Sequence, residues 1–452
     1  MAAAVDINLE PTYADIDRSA RAILAPPGYK YWIWIGFLLT LTLTAGGLWT
    51  NQIYNGLQVT GMGNPVMWAV YITNFVFWVG IAHSGTLISA ILYLFRTRWR
   101  TGVYRVAETM TVFAVATAGL FPIIHLGRPW FFYWLVPYPN ERFLQPDFRS
   151  PLVWDFFAIS TYLTISTLFL FTGLVPDVAN AREAATGWRK TFYSIVALGW
   201  QGSDRQWRNF SMAYLLMAGL ATPLVLSVHS VVSWDFAMAQ LPGWHSTIFA
   251  PYFVAGAIFS GVAMVLTLLI PMRWIMGLED LVTPWHLDNC AKVILLTSLI
   301  ISYAYIVESF MTWYSKDPIE MMTFHMRYFG PWGWMYWVMV ACNCVIPLCL
   351  FSPRIRVSPV LLFMISISVN IGMWFEHFVI IAGSLAVNFE PSTWRFWHPS
   401  VTEVMITIGS FSWFLMLFSL FARYLPIVSM TELKEGISWL KQALRQGYDE
   451  AA

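Results

Sequence analysis

The sequence predicts an all-α integral membrane protein of about ten transmembrane helices, and three observations carry that reading. Hydrophobic residues fill 58% of the 452 positions and charged residues only 11%, against roughly 25% charged residues in a soluble globular chain. Ten apolar stretches are each long enough to cross a bilayer core, which takes about 20 residues of helix. The 25 Trp and 20 Tyr supply amphipathic rings of the kind that settle at the headgroup level. A net charge of +1 leaves no basic surface for nucleic acid, so membrane lipids are the expected surroundings.

Along the chain, residues 1–30 mix Asp6, Glu10, Asp15 and Asp17 with Arg18 and Arg21. They hold no apolar core of signal-peptide length and read as a cytoplasmic tail. Spans follow at 31–50, 66–95, 106–126, 151–175, 209–234, 247–272, 288–314, 333–351, 358–385 and 400–425. The stretch 66–95 is the longest and must tilt or project beyond the hydrocarbon. "WRKTFYSIVALGW" (188–200) is too short to span and carries Arg189 and Lys190, which suits an interfacial helix. Residues 426–452 form a second tail.

Basic residues set the orientation, because they accumulate in cytoplasmic loops. Of the 26 Lys and Arg, 20 lie in the two tails and the regions after spans 2, 4, 6 and 8. Both termini are therefore expected inside, and the multi-pass chain is expected in a bacterial cell inner membrane.

"GIAHSGTLISAILYLFR" (80–96) and "GAIFSGVAMVLTLLIPM" (256–272) match at Gly80, Ser84 and Gly85 with Gly256, Ser260 and Gly261. Small residues at such spacing let helices approach closely. The match suggests two similar four-helix bundles, 66–234 and 247–385, with spans 1 and 10 outside them. Cys290, Cys342, Cys344 and Cys349 read as packing residues, since a metal or cluster site needs further ligands.

An ionisable side chain at the bilayer centre costs at least about 2.5 kcal/mol, so those present are functional candidates. One set gathers at the outer ends of the spans: His125 and Arg128, Asp155, His229 and Asp235, His245, and Arg395, His398 and Glu403. A deeper set comprises His83, Glu308, Glu376 and His377, together with His229 a candidate proton pathway. Glu376 and His377 point about 100° apart on a helix, so they are expected to face different neighbours.

An outer pocket of aromatic rings with imidazole and carboxylate suits a quinol, whose oxidation releases two protons with two electrons. The ring needs an apolar slot, a hydrogen-bond partner and a proton acceptor. His125 beside Asp155 is the candidate catalytic pair, with Arg395, Asp235 and His245 as further quinol contacts. Arg128 is set apart, because Pro129 ends the helix there. The sequence holds no CxxCH haem motif and no Gly-rich phosphate loop, so no metal or haem is expected in this chain.

"HLGRPW" (125–130), "SPLVWDFFAISTYL" (150–163) and "FEPSTWRFWHPSVTE" (389–403) resemble the NrfD/PsrC family of membrane subunits of quinone-linked oxidoreductases. Within it the chain looks most like the quinol-oxidising ActC subunits of bacterial alternative complex III; the sister ActF subunits share the fold. The resemblance implies oxidation of menaquinol or ubiquinol near the periplasmic face, in a respiratory or photosynthetic complex, with proton translocation as a further expectation. Electrons would pass to a periplasmic iron-sulfur subunit and on to multihaem cytochrome c subunits, beside a sister NrfD-like membrane subunit. It also implies that His125, Asp155 and Arg395 line the quinol pocket. Two other readings compete: a cytochrome b-like protein ligating haem between transmembrane histidines, and a secondary transporter, for which Pro223 and Pro347 mark candidate helix breaks.

Overall fold

A computed structural model describes Tyr13, Ile16 and residues 24–136, 138–139 and 147–434. The described chain is helical, and ten helices are long and apolar enough to cross a membrane. They are α1 (Tyr29–Asn55), α2 (Val70–Leu94), α3 (Tyr104–His125), α4 (Pro151–Ala184), α5 (Asp204–Ala237), α6 (Phe249–Met276), α7 (Pro284–Ser315), α8 (Gly333–Phe351), α9 (Pro359–Ala386) and α10 (Val401–Tyr424). The protein is thus an all-α, multi-pass integral membrane protein. Most of both expected tails lies outside the described residues.

Local chemistry fixes several starts. Pro151, Pro284 and Pro359 open α4, α7 and α9, where a missing N–H costs nothing. Ser203 with Gln206 and Ser400 with Glu403 form reciprocal caps on α5 and α10.

Chain direction alternates from helix to helix, so α1 begins and α10 ends on one side, the termini face. The side-by-side contact of α1 with α10 fixes this, the Tyr31 hydroxyl donating to the Ser419 carbonyl at 3.2 Å. The centre belongs to α2 and α6, each 83% buried over its apolar window, while α1 is 17% buried and lies at the periphery. α2 packs on α3 and α6, α6 also on α5, α7 and α9, and α4 on α5.

Of the matched small residues, Gly80, Ser84, Ser260 and Gly261 meet where α2 crosses α6, whereas Gly85 faces Thr111 of α3 and Gly256 faces Met373 of α9. A Cβ on Gly261 would collide with Ser84 Oγ and lie 2.8 Å from the Ile81 carbonyl oxygen. Gly261→Ala therefore forces the α2 backbone away and is expected to cost about 1–3 kcal/mol, the usual penalty of overpacking. Thermal unfolding of the purified protein checks this, and an unchanged midpoint would contradict it.

Several expectations need correction. The longest helices are α4 and α5, at 34 residues each, or about 51 Å at 1.5 Å per residue. Compared with the expected 151–175 and 209–234, most of the extra length lies at the termini face, and α2 is not the span that must project. The interfacial helix is present as Gly187–Val196, but a second non-spanning helix, Pro318–Phe329, was not expected. Asp317 caps it, accepting from the Ile319 and Glu320 amides at 2.9 Å each. Pro223 sits inside a continuous α5, whereas Pro347 lies in the 3₁₀ half of α8, just beyond a π turn at Ala341–Val345. Further π turns occupy Leu87–Ile91 of α2 and Val379–Gly383 of α9.

Candidate functional site

The site is built at the face opposite the termini and in the interior behind it. Pro151 starts α4, which places Asp155 about one turn in; Asp235 lies in the last turn of α5. α4 and α5 pack against each other, and the two carboxyls meet in a side-chain hydrogen bond. Asp155 is 5% exposed, and Oδ1 of each residue is buried with no partner. Trp154 and Trp234, the preceding residues, meet edge to face with centroids 6.0 Å apart.

Asp155 was expected beside His125; the carboxyl that it contacts is Asp235, a pairing that the sequence did not suggest. His125 ends α3 with its Nδ1 buried and unpartnered. The carbonyl of its neighbour Ile124 accepts from Gln52 Nε2 at 2.9 Å. Arg395 is exposed, and its guanidinium covers Gly63, where a Cβ would lie 2.5 Å from Nη1. Glu403 is a structural clasp, accepting from Gly61 N at 2.8 Å, Trp397 Nε1 at 3.0 Å and Ser400 Oγ at 2.8 Å.

His245 is exposed and lines a cleft of about 990 Å³ shared with Trp234, Met238, Glu308, Met311 and Glu320. Glu308 also borders a small cavity of about 20 Å³ that reaches Tyr305 and Glu376. Glu376 is 1% exposed; its Oε2 accepts from the Tyr305 hydroxyl and from Asn343 Nδ2, the latter at 3.2 Å. Asn343 lies in the π turn of α8, and Glu376 and His377 stand just before the π turn of α9; such turns are frequent at functional positions.

His377 faces the other way, toward Phe77 of α2 and Phe253 of α6 at 6.4 and 6.1 Å between ring centroids. Glu376 and His377 thus meet different neighbours, as their angular separation on a helix leads one to expect. His229 also contacts Phe253, at 5.8 Å, and lies 4.6 Å from His83. His83 stacks on Tyr162 at 4.6 Å, and its Nδ1 lies 2.6 Å from the Val79 carbonyl oxygen. One ring nitrogen on each of these three histidines is buried and unpartnered.

Sequence reasoning missed the partners: Tyr305 and Asn343 around Glu376, and Tyr162 under His83. It also counted Arg105 as a loop charge, whereas Arg105 is 1% exposed between Glu108 and Asp177. The available signal was Arg105 and Glu108 three apart at a span start.

Among the described residues, no group of three or more His, Cys, Asp or Glu is arranged to hold a metal ion. His83 and His229 touch directly, so no porphyrin fits between that pair.

Residues 58–388 match the family described as "Polysulphide reductase, NrfD". The chain belongs to the NrfD family. The matched region runs from ahead of α2 to the end of α9, so it includes His125, Asp155, Asp235 and the buried histidines but not Arg395. Among curated relatives, the chain is 26% identical to a putative dimethyl sulfoxide reductase membrane subunit of Halobacterium salinarum, over 92% of this chain and 96% of that protein. It is 22% identical to the menaquinone reductase integral membrane subunit of Nitratidesulfovibrio vulgaris, over 88% and 92%. It is 20% identical to a selenate reductase subunit of Mesobacillus selenatarsenatis, over 83% and 89%.

Proposed function

We propose that this NrfD protein is the quinol-binding membrane subunit of an electron-transfer complex and oxidises menaquinol or ubiquinol at the face opposite its termini. The observation that carries the proposal is the contact of buried Asp155 with half-buried Asp235, with a buried, unpartnered oxygen on each carboxyl and two tryptophans alongside. Relatives named as membrane subunits of redox enzymes, one of them a menaquinone reductase, support a membrane subunit that handles a quinone or quinol.

The chemistry follows from the pair. A quinol hydroxyl donates to a free Oδ1, and the proton moves to that carboxyl as the ring loses an electron. A quinol releases two protons, so a second acceptor is needed beside the Asp155–Asp235 pair, the role assigned to His125, whose Nδ1 has no partner. The exposed Arg395 and His245 are assigned to orient the head group on arrival. The two electrons leave to an iron-sulfur partner, and from it to c-type haem subunits in an assembly of the alternative complex III kind with a sister NrfD-like chain.

With the basic residues on the termini face, that face is cytoplasmic, the membrane is a bacterial inner membrane and the quinol protons are released outside. His83, His229, Glu308, Glu376 and His377 form the interior proton route. The assay is quinol-driven reduction of the purified complex, read as bleaching or growth of its iron-sulfur and haem bands. Reduction by a menaquinol or ubiquinol analogue is expected, and a complex that stays oxidised with both analogues contradicts the proposal.

A further inference from the structure

Two indole N–H groups stand unused in a part of the fold that the Asp155–Asp235 chemistry does not reach. Trp49 Nε1 on α1 and Trp413 Nε1 on α10 are buried without a hydrogen-bond partner. Both tryptophans line one groove of about 250 Å³ between α1, α3 and α10. Its walls include Gly46, Leu120, Phe121 and Ile406, and no titratable side chain lines it. None of its lining residues comes from α4 or α5, so the groove is separate from the carboxyl pair.

Helix geometry brings the two donors to one place. A Cβ on Gly409 would collide with Ala45 Cβ, which marks the crossing of α1 and α10. Trp49 and Trp413 each follow that crossing by four residues, about 6 Å along helices that run in opposite directions. Each Cα–Cβ bond tilts toward the start of its own helix, so both side chains lean back toward the crossing from opposite sides. Gln52 closes the groove toward the face opposite the termini: it donates to the Ile124 carbonyl at 2.9 Å and accepts from the Tyr71 hydroxyl at 2.6 Å. With α1 only 17% buried, a ligand enters sideways from the bilayer.

The donors define that ligand. An indole N–H donates and cannot accept, and a buried donor without an acceptor is costly. The occupant therefore brings acceptors, and it is neutral, because no lining residue would balance a charge. Depth narrows the choice further. Trp49 lies six residues before the end of α1 and Trp413 twelve after the start of α10, about 9 and 18 Å along the axes. In a hydrocarbon core about 30 Å thick, phospholipid ester carbonyls stay at the surface, above the deeper donor. An isoprenoid quinone reaches it, since its neutral ring carries two carbonyls and travels within the hydrocarbon. The volume lies just under the about 300–1,000 Å³ of small-molecule pockets, which suits a ring whose tail stays in the bilayer.

We propose that this groove is a second quinone seat, which holds the oxidised ring with its carbonyls accepting from Trp49 and Trp413. A quinone carbonyl only accepts, whereas a quinol O–H must also donate, and the groove has no carboxylate or imidazole to receive it. The seat thus favours quinone over quinol and performs no oxidation. From the quinol reading above it takes only the source of the quinone.

The test is equilibrium binding of a radiolabelled short-chain menaquinone, oxidised or kept reduced, to the delipidated whole complex. Trp49→Phe with Trp413→Phe is expected to weaken one class of quinone sites about tenfold, the worth of one to two hydrogen bonds. Gly46→Phe is expected to abolish that class by filling the groove; a Cβ there meets nothing within 4 Å, so the helices need not move. Asp155→Asn is expected to leave the class intact, and the reduced form is expected to bind it at least tenfold more weakly. Quinone binding unchanged in both groove variants overturns the proposal, as does equal affinity for the two redox forms. A phospholipid extracted from the native complex and missing from Gly46→Phe, with quinone binding unchanged, overturns it too. A native complex that binds quinone in the groove yet oxidises no quinol overturns the quinol reading and leaves the seat standing.

Discussion

Asp155→Asn lowers quinol-driven turnover by about 10²–10⁴-fold, the range lost with a positioned acid–base group, while the complex still assembles. The asparagine keeps the shape of the side chain but accepts no proton, and it leaves Asp235 without the carboxyl partner it now has. Asp235→Asn is expected to fall in the same range. Because the two residues act as a unit, the double variant should be little worse than either single one. Normal turnover in both single variants would contradict this assignment, and additive losses would show that the carboxyls act separately. Steady-state oxidation of a quinol analogue, normalised to the haem and iron-sulfur content of each preparation, provides the readout.

Arg105→Met is the substitution expected to damage the fold most. It removes the only guanidinium that touches Glu108 and Asp177 among the described residues, and it strips donors from the Leu170 and Gly173 carbonyls. Breaking a buried ion pair from one side costs about 3–5 kcal/mol, a large share of the roughly 5–15 kcal/mol that holds a typical domain together. Low yield and a depressed unfolding midpoint follow. Adding Glu108→Gln to Arg105→Met should restore part of the loss, because it removes one uncompensated charge. A midpoint for Arg105→Met equal to the native one would contradict the network's role.

The spans were legible because a bilayer imposes its own ruler, and apolar runs of the right length stand out in a chain with few charges. Rotation about each helix was less legible. The divergence of Glu376 and His377 follows from helix geometry alone, since adjacent residues differ by about 100°. Which helix each meets does not, so Tyr305, Asn343 and Phe253 came only with the packing. Asp155 and His125 end neighbouring spans, and sequence position suggested they would pair. The contact of α4 with α5 also brings Asp155 to Asp235, eighty residues along the chain, which sequence position did not suggest. The helix Pro318–Phe329 carried its own start signal in Asp317-Pro318 followed by Glu320, yet at 12 residues it is hidden between two spans when spans are what is sought. Arg105 was misplaced because a basic residue near a span end ordinarily belongs to a loop; the extra length of α4, with Asp177 near its end, encloses it.

The most direct measurement of the central claim is photo-crosslinking with a ring-labelled azidoquinone in the native complex, followed by peptide mapping. Labelling is predicted on the α4 and α5 ends around Trp154, Asp155, Trp234 and Asp235, and excess menaquinol should suppress it. Specific labelling confined to the termini face of this chain, or to another subunit, would contradict the account.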